Sequence, residues 1–240
     1  MSQIIRKIIP LSALLMVIAF ANGQTKTVTK STSKTTSTKQ VSASKHVEKA
    51  YASPVSISEV KDLKETDAEY TSVMNLVEKY NVRLIYEDNT FRSKEPLKKG
   101  DFIVALNDAL SAYKKIKDSL AVDTSLVNTY DKKRGGAYLT SVDQVKDIKS
   151  GSIYYPAAKS LIEDWGIAAP FSANKTLNAA SNMSEKEAFD ILRESLGYSS
   201  AGINPYSTAI TRGKFAIALN NAIMQRIGQI YMLHSQQKAQ

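Results

Sequence analysis

The stretch "VKDLK" at residues 60–64 returns as "VKDIK" at residues 145–149, and the two copies stay in step downstream. At a constant offset of 85, Tyr70 falls on Tyr155, Leu76 on Leu161, Val77 on Ile162, Glu78 on Glu163, Tyr80 on Trp165 and Val82 on Ile167. The matches keep chemical type and recur at the period of a helix face. A duplicated unit constrains the fold strongly. Each copy must adopt the same local structure, and adjacent copies must bury each other's apolar faces.

Each copy continues into a polar loop and a second apolar helix. The loops read "YEDNTFRSKEPLKKGDF" at 86–102 and "FSANKTLNAASNMSEKEAF" at 171–189. Phe102 and Phe189 are 87 apart, which implies about two extra loop residues in the second copy. A third stretch, "INPYSTAITRGKF" at 203–215, resembles the end of the first loop, with Ile210 for Leu97 and Phe215 for Phe102. No first helix precedes it, so the count is two and a half units.

The apolar spacing places Val73, Leu76, Val77 and Tyr80 on one face of a helix from about Glu69 to Tyr80. Phe102, Ala105, Leu106, Ala109, Leu110 and Tyr113 line the next. In the second copy Ala158, Leu161, Ile162 and Trp165 share a face, with Pro156 tolerated in the first turn. The following "SEKE" is a capping box of Ser184 and Glu187, and Gly197 suits the helix stop. Thr211 is the expected N-cap of the last helix, whose stripe runs from Phe215 through Leu219 and Ile223 to Ile230. No long alternating run suggests a sheet. The fold expected is all-α, a small bundle of helix-loop-helix repeats.

The first 23 residues carry Arg6 and Lys7, an apolar run from Ile8 to Ala21, and small residues at Ala21 and Gly23. That is the pattern of a secretory leader, with an uncleaved anchor as the alternative. The run is short for a full membrane span. The chain has no cysteine, so an exported form must rely on packing rather than disulfides, and a lipid-anchored cysteine is excluded. Of the formal charge of +9, the leader holds +2 and residues 24–50 hold +5, which leaves +2 for the rest. The basicity therefore argues weakly for nucleic acid. The Thr/Ser/Lys-rich segment cannot bury enough apolar surface to fold, and as a coil it reaches roughly 30 Å. It reads either as a plain spacer or as a basic tail for anionic surfaces. The expected organisation is a leader at 1–23, a linker at 24–55, repeats at 56–120 and 142–200 around a connector at 121–141, a half-repeat at 201–232 and a tail at 233–240. In the connector region "SLAVDTSLVNTY" could be helical and "DKKRGG" reads as a turn.

Three stretches, "LVEKYNV" (76–82), "YEDNTFR" (86–92) and "ITRGKFAIALNNAI" (210–223), together resemble the S-layer homology module, in the version found in Gram-negative envelope proteins. The resemblance covers about 56–116 and 142–230. It implies a pseudo-threefold helical bundle and an exported, non-catalytic protein of the periplasm or cell surface. Its partner would be peptidoglycan or the polysaccharide attached to it, often anionic. Binding in that family is attributed to a Thr-Arg pair at the start of the second helix. Thr211 and Arg212 match it directly. Lys98 and Lys99 hold the same places in the first copy, without the hydroxyl or the planar fork. Ser184 and Glu185 hold them in the second, where Glu185 would repel an anion. Lys214 stands where the family's Glu follows. Arg92, at the end of the first loop motif, completes the candidate set. A helix start offers free N–H groups and partial positive charge, and an Arg adds a paired donor, which together suit a carboxylate.

No catalytic set, metal-ligand spacing or phosphate loop stands out. Neighbouring Glu163 and Asp164 point apart on a helix and read as a solvated face. Trp165 reads as core. A second expectation stands beside glycan binding. The chain could be an envelope scaffold that keeps the fold alone, its half unit completed by a partner protein or by a second copy.

Overall fold

The computed structural model describes residues 51–52, 56–122, 138–199 and 208–239. The expected leader, nearly all of the linker and the "DKKRGG" turn lie outside the described residues. Among the described residues five α-helices form: α1 at Tyr70–Met74, α2 at Lys99–Ser119, α3 at Tyr155–Lys159, α4 at Glu185–Leu196 and α5 at Arg212–Lys238. Among the described residues there is no strand, and the fold is all-α.

The two full copies make the same bonds. α1 widens into a π-turn at Asn75–Lys79, and α3 does so at Ser160–Asp164. Tyr80 N–H reaches Asn75 O and Trp165 N–H reaches Ser160 O, both at 3.1 Å. The chain then reverses through Asn81 and Gly166, both at positive φ. Ahead of each helix a short 3₁₀ turn, Ile57–Glu59 or Val142–Gln144, is capped from the helix itself. Glu78 Oε1 accepts from Ile57 N–H at 2.8 Å, and Glu163 Oε1 accepts from Val142 N–H at 3.1 Å. Glu163 is thus a cap rather than part of a solvated face, because its helix delivers it onto the start of the preceding turn.

The loops match too, although their sequences diverge. Asp62 accepts from Phe91 and Arg92 N–H at 2.7 and 2.8 Å. Asp147 accepts from Leu177 and Asn178 N–H at 2.9 and 2.7 Å. Tyr86 N–H bonds Thr90 O, and Ser172 N–H bonds Thr176 O. The offset is 85 at Val82/Ile167 and 86 at Tyr86/Ser172, so the second loop has one extra residue, not two. Phe102 therefore stands opposite Ala188, and Phe189 one position on. The aligned feature is backbone geometry, which tolerated the shift of the aromatic by one place.

The second helices form the trunk. α2 and α4 both pack on α5, and the Phe102 and Phe215 rings meet at 5.3 Å. The expected stripes are buried, including Leu76, Leu161, Leu106, Leu219 and Ile223. Each such side chain contributes about 1.5–3 kcal/mol. Trp165 is half-buried against this core. α1 packs on α5 and α3 packs on α2. Among the described residues no corresponding short helix is seen to pack on α4.

Candidate functional site

The starts of α2, α4 and α5 meet at one end of the trunk. Leu97 N–H donates to Ile210 O (2.8 Å), Ile210 N–H to Met183 O (3.0 Å), and Met183 N–H to Leu97 O (2.8 Å). Three backbone segments thus close a ring, each donating to the next. The ring sets Lys98, Ser184 and Thr211 as equivalent N-caps, followed by Lys99, Glu185 and Arg212.

Beyond the ring, each polar loop lies across the next helix start. Lys99 and Gly100 N–H donate to Ser181 O and Ala179 O at 2.9 and 3.0 Å. Arg212 and Gly213 N–H donate to Glu95 O and Ser93 O at 3.0 and 2.9 Å. Glu185 N–H donates to Thr208 O at 2.8 Å. Thr211 Oγ1 then accepts from Lys214 N–H at 3.3 Å, and Ser184 Oγ from Glu187 N–H at 3.2 Å. Two glycines admit this close approach. A Cβ on Gly100 would lie 2.5 Å from the Tyr154 ring, and one on Gly213 2.5 Å from Ser93 Oγ. Most of the N–H groups expected to receive a carboxylate are therefore spent on the chain itself, including all three at the start of α5.

Arg212 is 2% exposed, and its fork faces inward. Nε donates to Phe91 O (2.7 Å), Nη1 to Tyr86 Oη (2.7 Å) and Asp101 Oδ2 (2.6 Å), and Nη2 to Leu84 O (2.6 Å). Its guanidinium also stacks over Tyr86 at 4.3 Å. The expectation that Arg212 presents its fork to an incoming anion does not fit this placement. The residue ties the half-repeat to the first repeat's loop. Asp101 also accepts from Tyr51 and Tyr86 hydroxyls, both at 2.6 Å. Burial foremost, then the Asp101 carboxylate, raises the Tyr51 pKa well above the usual phenol range. Burial likewise raises Tyr86, against the opposing pull of Arg212.

The ion pairs at the helix starts follow the same cycle. Arg212 pairs with Asp101, Lys99 with Glu187, and Lys214 with Glu185, each at 2.6 Å. In each case the first residue of one helix meets the third residue of another. In the last pair the signs are exchanged. Glu185 and Lys214, which look like separate departures from the family pattern, are two halves of one reversed pair. Reading the two positions jointly in the sequence would have shown it.

An open groove of about 450 Å³ lies beside the ring, lined by Asp62, Lys64, Asp67, Glu69, Arg92, Ser93, Lys94 and Glu95. Most of its acids are engaged. Asp62 holds the loop, Asp67 accepts from Lys64 N–H at 2.8 Å, and Glu69 accepts from the Ser93 hydroxyl. Arg92 pairs with Asp88 and stacks over Tyr86 at 4.8 Å. The Thr90 hydroxyl and Arg92 hold the Asp88 carboxyl below its ordinary pKa. The exposed ammonium groups of Lys64 and Lys94 rim the groove. In the second copy Tyr154 replaces Glu69, and Ala179 and Ala180 replace Ser93 and Lys94. Tyr154 is 3% exposed and seals against Gly100, so that copy lacks the groove-side Glu69 and Lys94 charges and keeps only Asp147 and Lys149 of the corresponding set.

Of the five candidates, Arg92 alone lines the groove. Lys98 donates to Asn182 Oδ1 at 2.6 Å, Lys99 is paired, Thr211 caps and Arg212 is buried. Lys64 and Lys94 were missed, because an exposed lysine carries no spacing signal. Among the described residues no cluster of His, Asp and Glu could hold a metal ion. Nor is any described helix long and apolar enough to cross a membrane. Comparison of the chain with protein-family models, curated proteins and solved structures returned no match.

Proposed function

We propose that this chain is an exported, non-catalytic module of the cell envelope that binds peptidoglycan or an anionic polysaccharide attached to it. The contact is the groove beside Arg92, with Lys64 and Lys94 meeting the ligand's acidic groups and Ser93 and Arg92 its hydroxyls. The observation that carries this reading is the cyclic meeting of three helix starts, with one charged groove left open at its edge. That arrangement agrees with the S-layer homology resemblance. It moves recognition from the helix starts to the neighbouring loop, since Arg212 is engaged internally. A second reading is an envelope scaffold that has lost glycan binding. It is favoured by the engagement of most of the helix-start N–H groups within the chain.

The test is co-sedimentation of the protein with protein-free wall sacculi at low and high salt. Lys64→Ala with Lys94→Ala would be compared with Lys114→Ala, an exposed lysine on the far part of α2. Retention that falls only with the groove variants supports the groove. Retention abolished by salt and equally by every lysine change marks charge attraction alone. No retention of the parent protein leaves the scaffold reading.

A further inference from the structure

α5 is the longest helix among the described residues, 27 residues, and it contains no Asp or Glu. At about 1.5 Å per residue it spans roughly 40 Å, beyond the ends of the helices packed on it. One side, carrying Ile223, Arg226, Ile227 and Ile230, is buried. The other side presents Met224, Tyr231 and Met232, which are 48%, 51% and 61% exposed. Between them lies Gly228, where a Cβ would meet nothing within 4 Å. Glycine is the poorest helix former after proline, and among the described residues no contact requires it here. Gly100 and Gly213 each admit a close neighbour, and Gly228 has none among the described residues.

We propose that a second copy of this chain fills that role, with two α5 helices crossing antiparallel at Gly228 about a twofold axis. In such a pair, residues equally far before and after Gly228 stand level across the seam. Met224 meets Met232, Gln225 meets Tyr231, and Asn221 meets Ser235. All six lie on the exposed face centred on Gly228, and all are uncharged. The pattern is therefore self-complementary: apolar meets apolar, polar meets polar, and no like charges face each other. The bare glycine lets the two backbones approach to the short end of the 8–10 Å helix spacing. A single helix pair over about four turns stays below the roughly 1,200 Å² that divides weak from standard interfaces. The dimer is accordingly weak and concentration-dependent.

This interface differs from completion of the half unit. At the start of α4, Lys186 stands where α2 and α5 have glycine, and it pairs with Asp190, which also holds Arg193. That face is dressed for water.

The chain lacks cysteine, so introduced thiols report proximity cleanly. The experiment follows the protein, purified as its host makes it, by analytical ultracentrifugation between about 1 and about 100 µM, the range of a weak interface. In parallel, Gly228→Cys is oxidised, with Gly151→Cys as a control at another open glycine. A shift from one to two chains is expected, with rapid cross-linking at 228 and little at 151. Gly228→Glu, which sets two carboxylates together at the crossing, should weaken association at least about tenfold. Met232→Lys should act the same way, with helix content unchanged. A single chain at every concentration overturns the proposal. So does a dimer that survives Gly228→Glu, or equal cross-linking at both positions, since association would then use another surface.

Discussion

Replacing Arg212 by alanine should cost far more stability than any other change at the helix starts. Alanine leaves Asp101, a buried acid, without its cation, and strips donors from Phe91 O and Leu84 O. Breaking a buried ion pair from one side costs about 3–5 kcal/mol. An orphaned buried carbonyl adds about 1–3 kcal/mol where water cannot reach it. Even the lower figure is a large part of the 5–15 kcal/mol that holds a typical domain. Arg212→Lys keeps the charge but cannot span four acceptors, so it should lose about 2–3 kcal/mol. Lys99→Ala removes a pair whose side chains are 21% and 31% exposed, and should cost under about 1 kcal/mol. Urea unfolding followed by circular dichroism gives all three values. An Arg212→Ala loss within about 1 kcal/mol of that for Lys99→Ala would refute the reasoning. A binding defect in Arg212→Ala would then not be explained by unfolding, and Arg212 would return to the ligand site.

Lys214→Glu alone sets two carboxylates together, one of them on the buried Glu185, and should destabilise by about 2 kcal/mol. Adding Glu185→Lys should recover most of that loss in the same unfolding assay. Gly213→Ala forces a Cβ to 2.5 Å from Ser93 Oγ and should cost about 1–3 kcal/mol, whereas Gly151→Ala, which meets nothing, should not lower the melting temperature. Stability should also fall in alkali. Tyr51 and Tyr86 keep their protons in the fold above the pH near 10 at which unfolded tyrosine releases them. The unfolded state then binds fewer protons, so stability declines as pH rises past about 10, by up to about 1.4 kcal/mol per unit for each tyrosine. Tyr86→Phe should flatten the decline, and chemical denaturation across that pH range measures it.

Much of the scaffold can be read from apolar period and chain punctuation. The face of Val73, Leu76, Val77 and Tyr80, the stripe from Phe215 to Ile230, the cap at Thr211 and the left-handed stop at Gly197 all stand where spacing places them. These are local properties, set within one or two turns of helix. The site was less legible. Arg212 satisfies every sequence criterion for a ligand-facing residue, yet its partners lie more than 100 positions away in the chain. Glu163 looked solvated because its partner, Val142 N–H, belongs to a turn 21 residues upstream. Lys64 and Lys94 look like any surface lysine until the loops bring them to one groove.

The amino-acid sequence by itself determined the helices, their buried faces and the internal duplication, because those follow from side-chain period and backbone preference over short spans. Only the tertiary structure decided which charges meet. The ring of Leu97, Ile210 and Met183 brings three distant helix starts together. The side chains beyond it then pair across units, and a buried guanidinium must find its acceptors wherever the fold supplies them.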